Sequence, residues 1–214
     1  MATPIHSRII NKVARKIFKE HGIERKGQSR TWLDDQYWYT TVIEFQPFKD
    51  SHGTCLNVGA NFHWYKKEYF SFDLGGRVSE FIEFKNEGQF ENEVNSLVRL
   101  ALKETLMIRE NLSNLKSAEK TIMNHQFSSD NLWGNYHRAI INGLNNKIDE
   151  SGHYFNLILG DSEDVGWAIE LKSRVHKLKT VFNDNNYFKR SIEEIIKQAR
   201  MDKKLNPMET KGLW

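Results

Sequence analysis

Asn57, Asn61 and His63 stand at alternate positions of one run, Cys55 to Trp64, and Glu44 stands in an earlier run of the same kind. In a strand, alternate residues share a face, so this row would present two amides and an imidazole around the bare backbone of Gly59. Hydrogen-bonding side chains about a glycine can receive a ligand or a partner strand. These three residues and Glu44 are therefore the candidate binding residues. Glu44, with Gln46 two residues on, would be a general base if it faced a concave sheet. The plainer readings are a face open to water, as antiparallel sheets often have, and a carboxylate that is solvated or ion-paired.

Other chemistry lacks its parts. The chain has eight histidines but no HExxH, and its one cysteine precludes CxxC, so no metal site and no cofactor are expected. His52 and His63 flank the central strand, and His137, His153 and His176 fall on predicted helices; all read as solvent-facing or helix-end residues. No G-x-S-x-G occurs, and Cys55 sits mid-strand. Cys55 and His63 share a nominal face, but at about 3.3 Å per residue they lie too far apart for a dyad. Leu74-Gly75-Gly76-Arg77 lacks the lysine and spacing of a phosphate loop and reads as a hairpin turn. No catalytic residue is assigned.

The elements that must carry these residues follow from periodicity. Residues 37–65 hold two alternating runs: Tyr37 to Gln46, then Cys55 to Trp64. The segment Pro47 to Gly53 between them has loop chemistry. Leu56, Val58, Ala60, Phe62 and Trp64 form the apolar side of the second run. Residues 24–33 read as a turn into a first strand, and Asp34-Asp35-Gln36 as a hairpin connection. Residues 69–74 and 77–84 read as two more strands around Gly75-Gly76. Ahead of them, Thr3-Pro4 opens a helix with stripe Ile9, Ile10, Val13, Ala14, Ile17 and Phe18, closed by Gly22 and Ile23. From about Gln89 the period changes to that of a long helix through Ile108. Residues 111–131 read as a polar boundary. Beyond it lie only helical patterns: Leu132 to Ile148, residues 153–160, a start at Ser162-Glu163-Asp164 leading to Leu178, and Tyr187 to Ala199. The end of the chain, from Asn206, reads as frayed.

The fold class is thus α+β. An antiparallel meander sheet of about five strands packs against an N-terminal helix and a long helix, in a domain over residues 1–115. A helical C-terminal subdomain over residues 128–206 follows. With 39% hydrophobic and 28% charged residues in 214, the chain reads as a globular protein with ample core. No apolar run is long enough to cross a membrane, and the first residues lack a secretory signal's pattern. With a single cysteine, this suits a reducing cytoplasm.

A net charge of +3 is too small to indicate nucleic acid by itself. The basic residues gather, however: residues 172–204 hold ten Lys/Arg against four Asp/Glu. Lys172, Lys177 and Arg200 are the candidate phosphate contacts of a nucleic-acid reading. Two solvated helix faces are the plainer one.

The order helix, Gly-Ile-Glu-Arg-Lys-Gly-Gln-Ser-Arg-Thr-Trp (residues 22–32), VIEFQ (residues 42–46) and CLNVGANF (residues 55–62) resembles a bacterial family known as domain of unknown function 4304. Its members carry a glycine, an apolar residue, basic residues, a glycine and an aromatic after the first helix. They then have an apolar strand ending in glutamine and a strand with an Asn-x-Gly core. Ile23 stands where an aromatic is usual. The likeness spans Ile9 to Phe62, supports the fold and brings no catalytic signature. The expectation is a bacterial, cytoplasmic, non-catalytic protein-interaction module, with immunity against a toxin as one form. The alternatives are a nucleic-acid binder through the C-terminal helices and an enzyme on the polar sheet face.

Overall fold

The computed structural model describes residues 3–49, 51–127 and 131–208, with Asn131 described by its backbone alone. Asp50, the end of the 111–131 segment and the final six residues of the chain fall outside this range. Two compact units emerge. One comprises residues up to Phe62 together with Tyr69–Arg109; the other comprises His63–Glu68 and the chain from Glu110 onward.

The first unit is α+β. Helix α1 (Ile5–Phe18) buries Ile9, Ile10, Val13, Ala14 and Phe18, spaced for one face of a helix. Pro4 occupies the cap position itself, and no side chain caps this end, so Thr3 does not serve as expected. A short 3-10 turn (Lys19–His21) ends at Gly22, whose φ of 70° is left-handed. The Ile23 amide then donates back to the Phe18 carbonyl, and Ile23 is buried.

Strands β1 (Glu24–Arg25), β2 (Thr31–Asp35), β3 (Tyr39–Phe48), β4 (Ser51–Phe62) and β5 (Leu74–Arg77) form an antiparallel sheet in chain order. A sixth strand, β6 (Ile82–Glu83), pairs with the first part of β4. The core of the sheet is the β3–β4 ladder, with Tyr39 opposite Phe62 and Phe45 opposite Leu56. That register gathers Trp32, Ile43, Phe45, Leu56, Val58, Ala60 and Phe62 on one buried face. Phe18 of α1 meets Trp32 edge-on at 5.3 Å. Helix α2 (Glu87–Asn111) adds Phe90, Val94, Leu97, Val98 and Ala101 to the core. From its far end, Arg109 grips Asp34 of β2 with two hydrogen bonds of 2.8 and 2.7 Å.

Three local readings change. The segment from Pro47 to Gly53 is mostly strand: β3 runs to Phe48 and β4 starts at Ser51, with a bulge between Gln46 and Phe48. Residues 69–73 are not a strand. Gly75 and Gly76 are not a turn but the middle of β5, opposite Gly59 and Val58. Gly75 has φ of 99°, and a Cβ there would lie 2.5 Å from the Val58 carbonyl oxygen. The glycine pair permits close backbone approach rather than chain reversal.

The second unit is helical: α3 (Leu115–Asn124), α4 (Asn131–Leu144), α5 (Ile148–Gly160), α6 (Gly166–Lys179) and α7 (Asn185–Asp202). Helix α3 lies inside the segment read as a polar boundary. Asn114 caps it by accepting from the Ser117 amide, and Ala118 and Ile122 are buried. Helix α6 begins at Gly166, later than the Ser162 start expected, and no side chain caps it. The Asp184 side chain caps α7 by accepting from the amides of Asn186 and Tyr187. Trp64 belongs to this unit: its Nε1 donates to His137 Nδ1 at 2.9 Å, and the Tyr136 hydroxyl donates to the Trp64 carbonyl.

Candidate binding surface on the sheet

The sheet face opposite the apolar one carries the candidate residues. Antiparallel register sets Glu44 opposite Asn57, Gln46 opposite Cys55 and Asn57 opposite Arg77, so all five side chains share that face. They form one network. Asn57 Nδ2 donates to Glu44 Oε2 at 2.9 Å and to Gln46 Oε1 at 3.0 Å. Arg77 Nη2 donates to the same Gln46 oxygen at 2.9 Å, and the Cys55 thiol lies 3.6 Å from it. Asn57 and Cys55 are buried, Glu44 and Gln46 half-buried, and Arg77 exposed. One glutamine oxygen is thus the hub, and an amide holds the Glu44 carboxylate in a fixed direction.

Aromatic rings border this network. Phe48, Phe72 and Phe81 are 39%, 37% and 37% exposed. Phe48 and Phe81 meet edge-on at 5.0 Å, and the Arg77 guanidinium lies 5.9 Å from the Phe48 ring centre. Two glycines on the same strand face make the room. A Cβ at Gly59 would come within 2.9 Å of the Phe72 ring, and one at Gly53 within 2.4 Å of the Phe81 ring. The bare backbone of Gly59 is therefore filled by the chain's own Phe72.

The other expected residues do not join. Asn61 is buried, and its Nδ2 donates to Ser71 Oγ at 2.8 Å and Asp73 Oδ2 at 2.9 Å. Asp73 also accepts from the Phe62 amide, so Asn61 clasps the segment leading into β5. His63 is fully buried in the second unit. Burial holds its imidazole well below the usual histidine range, and the charges of Lys203 and Arg200 push the same way. His137 is buried as well, against Trp64. The reading of these two histidines as solvent-facing is corrected: each has an aromatic-rich or charged interior around it.

No family model matches this chain, and neither does any curated protein or solved structure. The geometry alone therefore speaks for function.

Among the described residues, no group of three or more His, Cys, Asp or Glu side chains is placed to hold a metal ion. No helix among them is long and apolar enough to cross a membrane. The basic C-terminal helices are partly committed to the fold. Lys172 Nζ donates to the carbonyls of Asp161 and Glu163, both at 2.6 Å. Arg200 is buried and donates to the Asn206 carbonyl at 2.8 Å. Lys177 is exposed. Three cations that adjoin in the sequence's charge count are thus not three free phosphate contacts.

Sequence reasoning missed Gln46 as the hub, Arg77 as its outer donor and the three phenylalanines as the border. The available signal was the pair Gly53 and Gly59, in phase with Cys55 and Asn57 on one strand face. Small residues in such a row leave space for large ones from elsewhere.

Proposed function

We propose that this chain is a non-catalytic protein-binding module whose partner docks on the polar sheet face. The observation that carries this reading is the set of three phenylalanines, each more than a third exposed, around the exposed Arg77 and the Glu44–Asn57–Gln46 network. Aromatic residues and arginine dominate the energetics of protein interfaces, and a fixed hydrogen-bonding pattern between them supplies selectivity. The carboxylate that would act as a base is already bound by Asn57, and the thiol beside it is buried, which favours recognition over turnover.

The test is affinity capture from the native host, with the intact chain as bait. A stoichiometric partner is expected on the wild type, lost on Arg77→Glu combined with Phe48→Ser, and kept on Lys177→Glu. Loss of one interface anchor of this kind costs about 2 kcal/mol or more, roughly thirtyfold in affinity. A partner held equally by the double variant, or no stoichiometric partner at all, overturns the proposal.

A further inference from the structure

A separate cleft of about 670 Å³ lies in the first unit, between α1 and the β1–β2 hairpin. Arg8, Asn11, Lys12 and Arg15 line it from the helix, and Arg25 and Gln28 line it from the hairpin. Positions 8, 11, 12 and 15 recur every three or four residues, so one face of α1 supplies all four. That volume is in the range of small-ligand sites.

Its charge is one-sided. Of the four cations, Lys12 has an ion pair, with Glu91 at 2.9 Å, and both partners are well exposed. Arg25 is held by carbonyls instead: its Nε donates to Ser29 and its Nη2 to Gln28. Those contacts fix the guanidinium without neutralising it. Neither Arg8 nor Arg15 has an acidic partner among the described residues.

Asn11 is the second, independent sign. It is only 8% exposed, yet its side-chain oxygen is buried with no hydrogen-bond partner. A buried polar atom left unmatched is costly until a partner reaches it. Asn11 lines the cleft, so a turn of its terminal amide would bring that oxygen to a ligand's hydroxyl while an anionic group beside it met the arginines.

We infer that this cleft binds a sugar phosphate, with the phosphate held by Arg8, Arg15 and Arg25 and a sugar hydroxyl donating to Asn11. Guanidinium groups match phosphate oxygens in pairs and stay charged at every physiological pH. The same chemistry occurs in a free ribonucleotide and in a strand of RNA, and the two are told apart by measurement. This site is distinct from the polar sheet face, and its fate does not decide that of the protein-binding proposal.

The experiment is calorimetric titration of the intact chain with ribose 5-phosphate, adenosine monophosphate, inorganic phosphate and a short uridine oligomer, at two salt concentrations. Ribose 5-phosphate and adenosine monophosphate are expected to bind. Arg15→Glu and Arg8→Glu should each weaken them about tenfold or more, the worth of one charged hydrogen bond. Asn11→Ala should weaken ribose 5-phosphate about fivefold while leaving inorganic phosphate unchanged. Lys177→Glu should change nothing. An oligomer that binds more tightly than the monophosphate, with steeper salt dependence, identifies RNA as the source. Equal binding of the two identifies a free nucleotide. The inference is overturned if no phosphate compound binds at millimolar concentration. It is also overturned if Arg15→Glu, an exposed helix position that should fold normally, leaves binding intact. Inorganic phosphate binding as tightly as ribose 5-phosphate would overturn it too, by removing any role for Asn11.

Discussion

Replacing Arg109 by methionine should destabilise the first unit severely, and the structure sets the scale. Asp34 is almost wholly buried, its side chain 2% exposed, whereas the Arg109 side chain is 28% exposed. Three hydrogen bonds reach the carboxylate: two from Arg109 and one from Gln36 Nε2 at 2.8 Å. Arg109 also donates to the His21 carbonyl at 2.7 Å, tying the end of α2 to the turn after α1. Methionine keeps the aliphatic stem and removes every donor. The carboxylate is then left buried with a single amide partner. Removing one member of a buried pair costs about 3–5 kcal/mol, chiefly through the charge left behind. Because Arg109 is partly exposed and water can replace it in part, the lower end applies, about 3 kcal/mol. Urea unfolding followed by tryptophan fluorescence reports it through Trp32, which neighbours Asp34 in β2. The double variant Asp34→Asn with Arg109→Met supplies the control. It removes the stranded charge, keeps an acceptor for Gln36, and should recover about 1–2 kcal/mol of the loss. A loss below about 1 kcal/mol for Arg109→Met, with an unchanged denaturant slope, would refute this account of the pair. So would a double variant as unstable as the sum of the single ones.

Gly59→Ala should cost about 1–3 kcal/mol, because its Cβ would meet the Leu74 carbonyl oxygen at 2.5 Å and the Phe72 ring at 2.9 Å. Gly160→Ala, at the end of α5 with nothing within 4 Å, should be neutral or slightly stabilising; equal effects at the two sites would contradict the packing described. Stability should also fall with acid through His63, whose folded imidazole titrates well below 6.5 because burial disfavours its charged form. The unfolded chain takes up that proton and the folded chain resists it. The contribution is therefore complete above about pH 6.5 and is lost as pH falls toward the folded value, by at most about 1.4 kcal/mol per pH unit. His63→Gln should flatten the stability–pH curve between pH 6.5 and 5, and parallel curves would exclude His63 as the source.

The strands and long helices were legible because their signals are local. The alternation from Tyr37 to Gln46 and from Cys55 to Trp64 names the two strands that the structure draws as Tyr39–Phe48 and Ser51–Phe62. The spacing of Phe90, Val94, Leu97, Val98 and Ala101 names a long helix. Helix α3 was hidden because only Ala118 and Ile122 mark its buried side, in a stretch otherwise polar. Gly75-Gly76 misled because a glycine pair serves a turn and a close backbone approach alike. The choice rests on Val58 and Gly59 lying across from it, which no residue nearby announces. The candidate site was half visible: Glu44, Gln46 and Asn57 were in sight, and their shared hydrogen bonds were not.

By itself the sequence determined where the two central strands and the long helices lie and which face of each is apolar, because those choices are made between residues two to four apart. Tertiary structure decided how the polar residues are used. Arg77 reaches Gln46 across 31 positions, and Arg109 reaches Asp34 across 75. Asn61 turned inward to Asp73 while Asn57 stayed with Glu44, though the two asparagines look alike in the strand pattern. A polar side chain follows whichever donor or acceptor the folded chain brings within about 3 Å, and that is fixed by packing rather than by its neighbours in sequence.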